Sequence, residues 1–210
     1  MKRVNSSNNK WKTIGIIVGV VLLLWLIFGG TYNSLVSKEE TVNAKWADIQ
    51  STYQRRADLI PNLVDSAKEG LDFQKETLTQ VTALRSDAQA LKQDIQQAQT
   101  PAELEQAGAQ LDNVASQTKE LVGTQITLQR EAYPNLDVSP ITSLQDELAG
   151  TENRINVARQ RYNEAVRSYN TKVRKFPTNL LAGMYGFEKK EMFEADEGAS
   201  EAPDVGDAFN

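Results

Sequence analysis

Apolar positions recur along this chain in steps of three and four, the period of a helix with one buried face. The first such stripe runs Val42, Trp46, Ile49, Tyr53, Ile60, Leu63, Ala67. It resumes in phase at Val81, Leu84, Ala88, Leu91 and Ile95. A third runs Leu104, Leu111, Val114, Leu121, Leu128. The fourth keeps strict sevens, Ile141, Leu148, Ile155, Tyr162, Tyr169, Phe176, with Val166 and Val173 between. No alternating strand pattern competes with them.

Helix boundaries follow from caps and breakers. "SKEE" at 37–40 reads as a capping box that starts the first bundle helix, with Ser37 as N-cap and Glu40 at N3. Gly70 and Asp72 read as a C-cap followed by a new N-cap. Because the stripe stays in phase, one long helix over 38–98 is the competing reading. "TPAE" at 100–103 is a capping box with proline at N1. "YPNLDVSP" at 133–140 is a loop, after which Ser139 caps the last helix. Pro177 ends it. Pro61 lies inside the first helix without disturbing its stripe, so it kinks that helix rather than ending it.

Ahead of the stripes lies "TIGIIVGVVLLLWLIFGG", residues 13–30, without a charge. Eighteen residues of helix cover about 27 Å, close to a bilayer's hydrocarbon core. Trp11 and Tyr32 bracket the run as interfacial aromatics do, and no small-residue cleavage site follows closely, so an uncleaved anchor is preferred to a signal peptide. Lys2, Arg3, Lys10 and Lys12 precede it, against Lys38 and Lys45 behind it. That asymmetry keeps the N-terminus in the cytoplasm and exports the remainder. Gly15 and Gly19 form a G-x-x-x-G pair that is read as ordinary helix glycine.

The expected architecture is all-α: a single N-terminal transmembrane helix followed by an up-and-down antiparallel four-helix bundle. Its parts are a polar segment over 1–12, the anchor over 13–30, the bundle over 31–187 and an acidic, disordered tail over 188–210. Residues 191–210 contain seven acidic side chains and no basic one.

Composition narrows the chemistry. Among 210 residues there is no cysteine and no histidine, which excludes disulfides, Cys or His metal sites and Ser-His or Cys-His triads. A net charge of −5 with scattered basic residues argues against nucleic acid as a partner. The seven-residue count places Arg56 on the first helix's seam, and Glu152 and Arg159 on the last helix's seam. Buried charge requires a partner. In an antiparallel bundle Arg56 lies level with residue 155, so it is expected to pair with Glu152.

Five stretches carry a resemblance. "YNSLV" (32–36), "RRADLIPNLV" (55–64), "YPNL" (133–136), "ELAGTENRINVARQRYN" (147–163) and "YNTKVRKFP" (169–177) are similar, in this order, to those of LemA-family proteins. The resemblance spans roughly residues 30–193 and leaves the acidic tail outside. It implies a membrane-anchored bacterial helical bundle with no known reaction. It also implies genes that often neighbour those of membrane metalloproteases or TPM-domain proteins.

The functional expectation is a non-enzymatic, cofactor-free scaffold or adaptor, bound to the bilayer through 13–30. Its partner is an envelope or membrane protein, such as a quality-control protease. Family-motif residues that do not face the core are the candidate contacts: Arg55, Asp58, Asn62, Asn153, Arg154 and Asn163. Two readings compete. One is a self-assembling envelope homo-oligomer. The other is a small-ligand binder that uses Asp58, Glu152, Arg56 and Arg159, although two arginines would keep those carboxylates ionised.

Overall fold

The computed structural model describes residues 6–194, and the side chains of residues 11–19, 22, 25 and 28–194. The elements are α1 (Ser6–Gly70), α2 (Lys75–Gln97), α3 (Pro101–Ala132), α4 (Ser139–Arg174) and the short α5 (Thr178–Tyr185). No strand occurs among the described residues.

The break at Gly70 is present, so no single helix runs on to residue 98. The start of α1 is different from expectation. It begins at Ser6 and runs unbroken for 65 residues, through the apolar stretch, through Ser37 and through Pro61. The "SKEE" box therefore caps nothing: Ser37's carbonyl accepts from Thr41 Oγ1 at 2.8 Å, a bond made along a continuing helix. No breaker stands between Gly30 and Ser37, and a helix already formed extends more readily than a new one nucleates. Among the described residues no helix is long and apolar enough to cross a membrane. The expected anchor includes residues 20, 21, 23, 24, 26 and 27, whose side chains lie outside the described residues. In the part that is described, Trp11, Ile14, Ile16, Ile17, Val18, Leu22 and Trp25 are exposed. Residues 1–5 and 195–210 also lie outside the described residues, and with them most of the expected tail.

The chain forms two compact units. One comprises residues 45–163 with the segment from Glu191 onward. Here the 45–70 stretch of α1, then α2, α3 and the first part of α4 build a four-helix bundle. Ion pairs fix its directions. Asp58 meets Lys92 and Asp65 meets Arg85, so α1 and α2 are antiparallel. Arg55 meets Glu147 and Trp46 meets Tyr162, so α1 and α4 are antiparallel. Glu105 meets Arg159 and Lys119 meets Gln145, so α3 and α4 are antiparallel. Up-and-down order follows.

The expected stripes of α1 and α2 form this core: Ile49, Tyr53, Ile60, Leu63, Ala67, Val81, Ala88 and Ile95 are all buried. The stripe of α3 departs from strict sevens after Val114. Thr118, Val122 and Ile126 are buried, whereas Leu121 is only partly covered and Leu128 is 57 % exposed. A straight helix drifts about 20° per heptad, and steps of four follow that drift where sevens do not. Thr118 is tolerated in the core because its hydroxyl donates to the Val114 carbonyl at 2.7 Å.

The Thr100 capping box forms as read, with both reciprocal bonds and Pro101 at the first turn. Asp72 does not cap α2. Its carbonyl accepts instead from Gln129 Nε2 at 2.6 Å and from Gln125, which pins the α1–α2 loop to α3. Ahead of α4, Asp137 accepts from the Ser139 backbone at 2.9 Å, and bonds to the Ser139 hydroxyl and amide hold its carboxyl below the usual carboxylate range.

The second unit comprises residues up to Ala44 with 164–190. Leu35 and Val42 of α1, Val166, Tyr169 and Val173 of α4, and Thr178, Leu181 and Ala182 of α5 are buried in it. Phe176, expected on the seam, is 75 % exposed because α4 ends at Arg174. Gly186 closes α5 at φ +76°, a left-handed backbone conformation that glycine adopts without strain. Tyr32 then meets Tyr185 and Phe187 edge-on, at 5.1 and 5.8 Å between ring centres. The chain beyond Phe187 is not the free tail that was expected. Lys190 pairs with Glu39 at 3.0 Å, and Asn170 holds the Lys190 backbone through two hydrogen bonds, at 2.8 and 3.0 Å.

Candidate functional site

Two of the three seam charges lie inside the four-helix unit as expected, and the third does not. Arg56 is 6 % exposed and Arg159 is partly buried, but Glu152 is exposed. The seam position is taken by Thr151, fully buried, whose hydroxyl donates to the Leu148 carbonyl at 2.6 Å and accepts from Arg56 Nη1 at 3.4 Å. The core of α4 steps three residues from Leu148, not four. A hydroxyl that bonds its own helix is cheaper to bury there than a carboxylate.

The expected Arg56–Glu152 pair is therefore replaced. Arg56 reaches Asp112 of α3 at 2.9 Å, and Arg159 pairs with Glu105, one helix pair away. Tyr53 makes the diagonal approach of α1 to α3 workable. A Cβ on Gly108 would lie 2.6 Å from Tyr53 Cε1 and 2.8 Å from Tyr53 Oη, so only glycine lets the ring cross there. Burial raises the Tyr53 hydroxyl's pKa, with Arg159 opposing it. Burial also raises the Asp112 carboxyl; Arg56 opposes, and nearby Glu152 adds to the rise. Glu152 thus acts on the seam from its rim. The arrangement holds ion pairs in place, and Arg56 and Arg159 each spend their charge on a fixed carboxylate. Among the described residues no group of three acidic side chains converges on a metal position.

The motif residues fall into three settings. Arg55 pairs with Glu147 and Asp58 with Lys92, so both tie helices together. Asn62, Asn153 and Arg154 are exposed. The last two line a groove of about 540 Å³ between α1 and α4, with Lys45, Asp48, Ser51, Thr52 and Arg161. Lys45 is paired with Asp48 at 2.8 Å, whereas Arg154 and Arg161, two helical turns apart, make no ion pair among the described residues.

Asn163 is not free for a partner. Its side chain donates to the Phe193 carbonyl and accepts from the Phe193 amide, each at 2.9 Å. The Phe193 ring is 4 % exposed. It stacks on Trp46 at 6.1 Å with 18° between planes, meets Tyr162 edge-on at 5.4 Å, and lies 4.9 Å from the Arg159 guanidinium carbon. Tyr162 Oη donates to the Glu191 carbonyl at 3.2 Å. Phe193 escaped the sequence reading because one aromatic in an acidic, aperiodic segment carries no pattern. Asp112, Glu105 and Gly108 escaped it because none is one of the apolar residues that mark the stripe of α3, and each acts only through the approach of that helix to α1 or α4.

The LemA family model matches residues 45–206. It begins later than the motif resemblance and, against expectation, takes in most of the acidic tail. Among curated proteins none matches the chain. A match over most of the length, on an all-helical chain with the motif residues described above, places this protein in the LemA family.

Proposed function

We propose that this LemA-family chain is a non-enzymatic scaffold, held to the bacterial inner membrane by residues 13–30, that binds an envelope or membrane protein. The observation that carries the reading is the groove between α1 and α4, where Arg154 and Arg161 stand without an ion pair among the described residues, in a chain of net charge −5. Elsewhere in that unit, Arg55, Arg56, Arg85 and Arg159 are matched to carboxylates, and Arg130 near the end of α3 is not, among the described residues. Two unmatched guanidinium forks beside Asn153, Ser51 and Thr52 suit carboxylates or backbone carbonyls of a polar partner surface. Anchoring supports a weak contact of this kind, because confining both partners to the membrane raises their effective concentration. The uncharged stretch 13–30 and the excess of Lys and Arg before it support the anchor and its orientation.

Photocrosslinking in cells from a photoreactive residue at Asn153, followed by mass spectrometry, tests this. A discrete membrane or envelope protein, lost on Arg154→Glu/Arg161→Glu, is the expected product. Crosslinks only to further copies of this chain would establish self-assembly instead, and no crosslink above background would remove the groove from consideration.

A further inference from the structure

We infer that the face formed by Trp46, Arg159, Tyr162 and Asn163 is a peptide-binding site for an extended segment carrying one aromatic side chain, and that residues 191–193 fill it in cis. The segment is bound as peptide ligands are bound. It has no helix of its own, and its backbone is read by side chains. Asn163 gives and takes a hydrogen bond with the amide and carbonyl of one residue, both at 2.9 Å, as a neighbouring β-strand would. Tyr162 Oη holds a carbonyl two residues earlier at 3.2 Å. These three bonds accept any side chain on the peptide. Selection comes from the socket, where Trp46, Tyr162 and the Arg159 cation surround the Phe193 ring. Met192, between the held positions, is exposed and takes no part.

A site that reads backbone plus one ring cannot distinguish its own chain from another of the same chemistry. What protects the cis segment is its tether, which supplies a local concentration on the order of mM. A partner bearing an extended, aromatic segment competes when it is itself concentrated beside this protein. The inference thus deepens the scaffold reading by naming the partner's chemistry.

The test uses the purified full-length chain and a labelled synthetic peptide, EKKEMFE, with the sequence of residues 188–194. Phe193→Ala empties the socket. By fluorescence anisotropy the variant is expected to bind EKKEMFE at least about tenfold tighter than the wild-type chain does, and at least about tenfold tighter than it binds EKKEMAE; this follows from the competition lost with the tether. Adding Asn163→Leu to the variant removes that gain. Equal binding of the two peptides, or binding indifferent to Asn163→Leu, overturns the proposal. Should Phe193→Ala fail to fold by circular dichroism, 4-fluorophenylalanine at position 193 of the otherwise wild-type chain replaces it. Excess EKKEMFE must then move the fluorine resonance, and an unmoved resonance overturns the proposal. Both readouts use purified protein, so they fail or succeed independently of the crosslinking at Asn153.

Discussion

Arg56 crosses from α1 to Asp112 of α3 at 2.9 Å, and only one end of this ion pair is buried: the side chains are 7 % and 51 % exposed. The two single mutants are therefore unequal. Asp112→Leu strands a buried guanidinium whose Nε already has no hydrogen-bond partner among the described residues. Arg56→Met leaves a carboxylate that water still reaches. Asp112→Leu is expected to cost about 3 kcal/mol, toward the lower end for breaking a buried pair, and Arg56→Met about 1 kcal/mol less. Urea denaturation of both mutants and the double mutant measures it. Equal losses would mean that Arg56 is not the buried partner.

Gly108 and Tyr53 are predicted to be coupled. Alanine in place of an interior helical glycine ordinarily stabilises by roughly 0.5–1 kcal/mol. Gly108→Ala is expected to reverse that sign and cost about 1–3 kcal/mol, because the new methyl meets the Tyr53 ring at 2.6 Å. Tyr53→Leu in the Gly108→Ala background should recover part of the loss relative to the additive sum. Thermal melts of the four proteins decide it; strict additivity would separate the two residues.

Tyr169 carries an alkaline signature. It is fully buried, its hydroxyl has no hydrogen-bond partner among the described residues, and burial, with Glu39 and Glu188 adding, pushes its pKa to about 12. An unfolded tyrosine ionises near 10. The folded state therefore keeps this proton longer, and the stability it contributes is whole below pH 10 and lost as pH rises from 10 to about 12. Tyr169→Phe is expected to change stability at pH 7 by no more than about 1 kcal/mol, since it removes an unsatisfied group. It should also flatten the decline between pH 10 and 12. Denaturation at both pH values, with absorbance at 295 nm to follow phenolate, checks both parts.

The chain stopped after Glu194 is predicted to melt as the full chain does, within a degree or two, the usual scale of surface changes. Stopping after Phe187 removes the buried Phe193 ring and the backbone bonds at Asn163 and Asn170. At roughly 2–3 kcal/mol for the ring alone, the melting temperature should fall by about 5–10 °C. Identical melting of the two truncations would show that residues 188–194 do not dock.

What could be read in the sequence was whatever one helix dictates by itself. Strict sevens in α4 identify Ile141, Leu148, Ile155, Tyr162 and Tyr169 as buried, and the Thr100 box begins α3 where it should. Arg56 on a seam was legible for the same reason. Its partner was not. Choosing Asp112 over Glu152 depends on how closely α3 approaches α1, and that depends on the missing side chain of Gly108. The Ser37 box was legible but misleading, because a cap signal inside a continuous helix is overruled by the helix on both sides. Residues 188–193 had no period to read: six residues held by two distant asparagines leave no trace in their own composition.

Those asparagines also set what heredity is free to change. Each addresses a peptide group, so the codons for Glu191 and Met192 can drift to almost any residue other than a poor extended former without loosening the hold. The codons for Asn163 and Asn170 have no such latitude. Aspartate keeps the acceptor but loses the donor, leucine keeps the shape but loses both, and glutamine reaches one carbon too far. Mutational tolerance along this segment should thus be uneven, with Glu191 and Met192 freely replaced, and the half-covered amides on the helix held as strictly as the buried Phe193 ring.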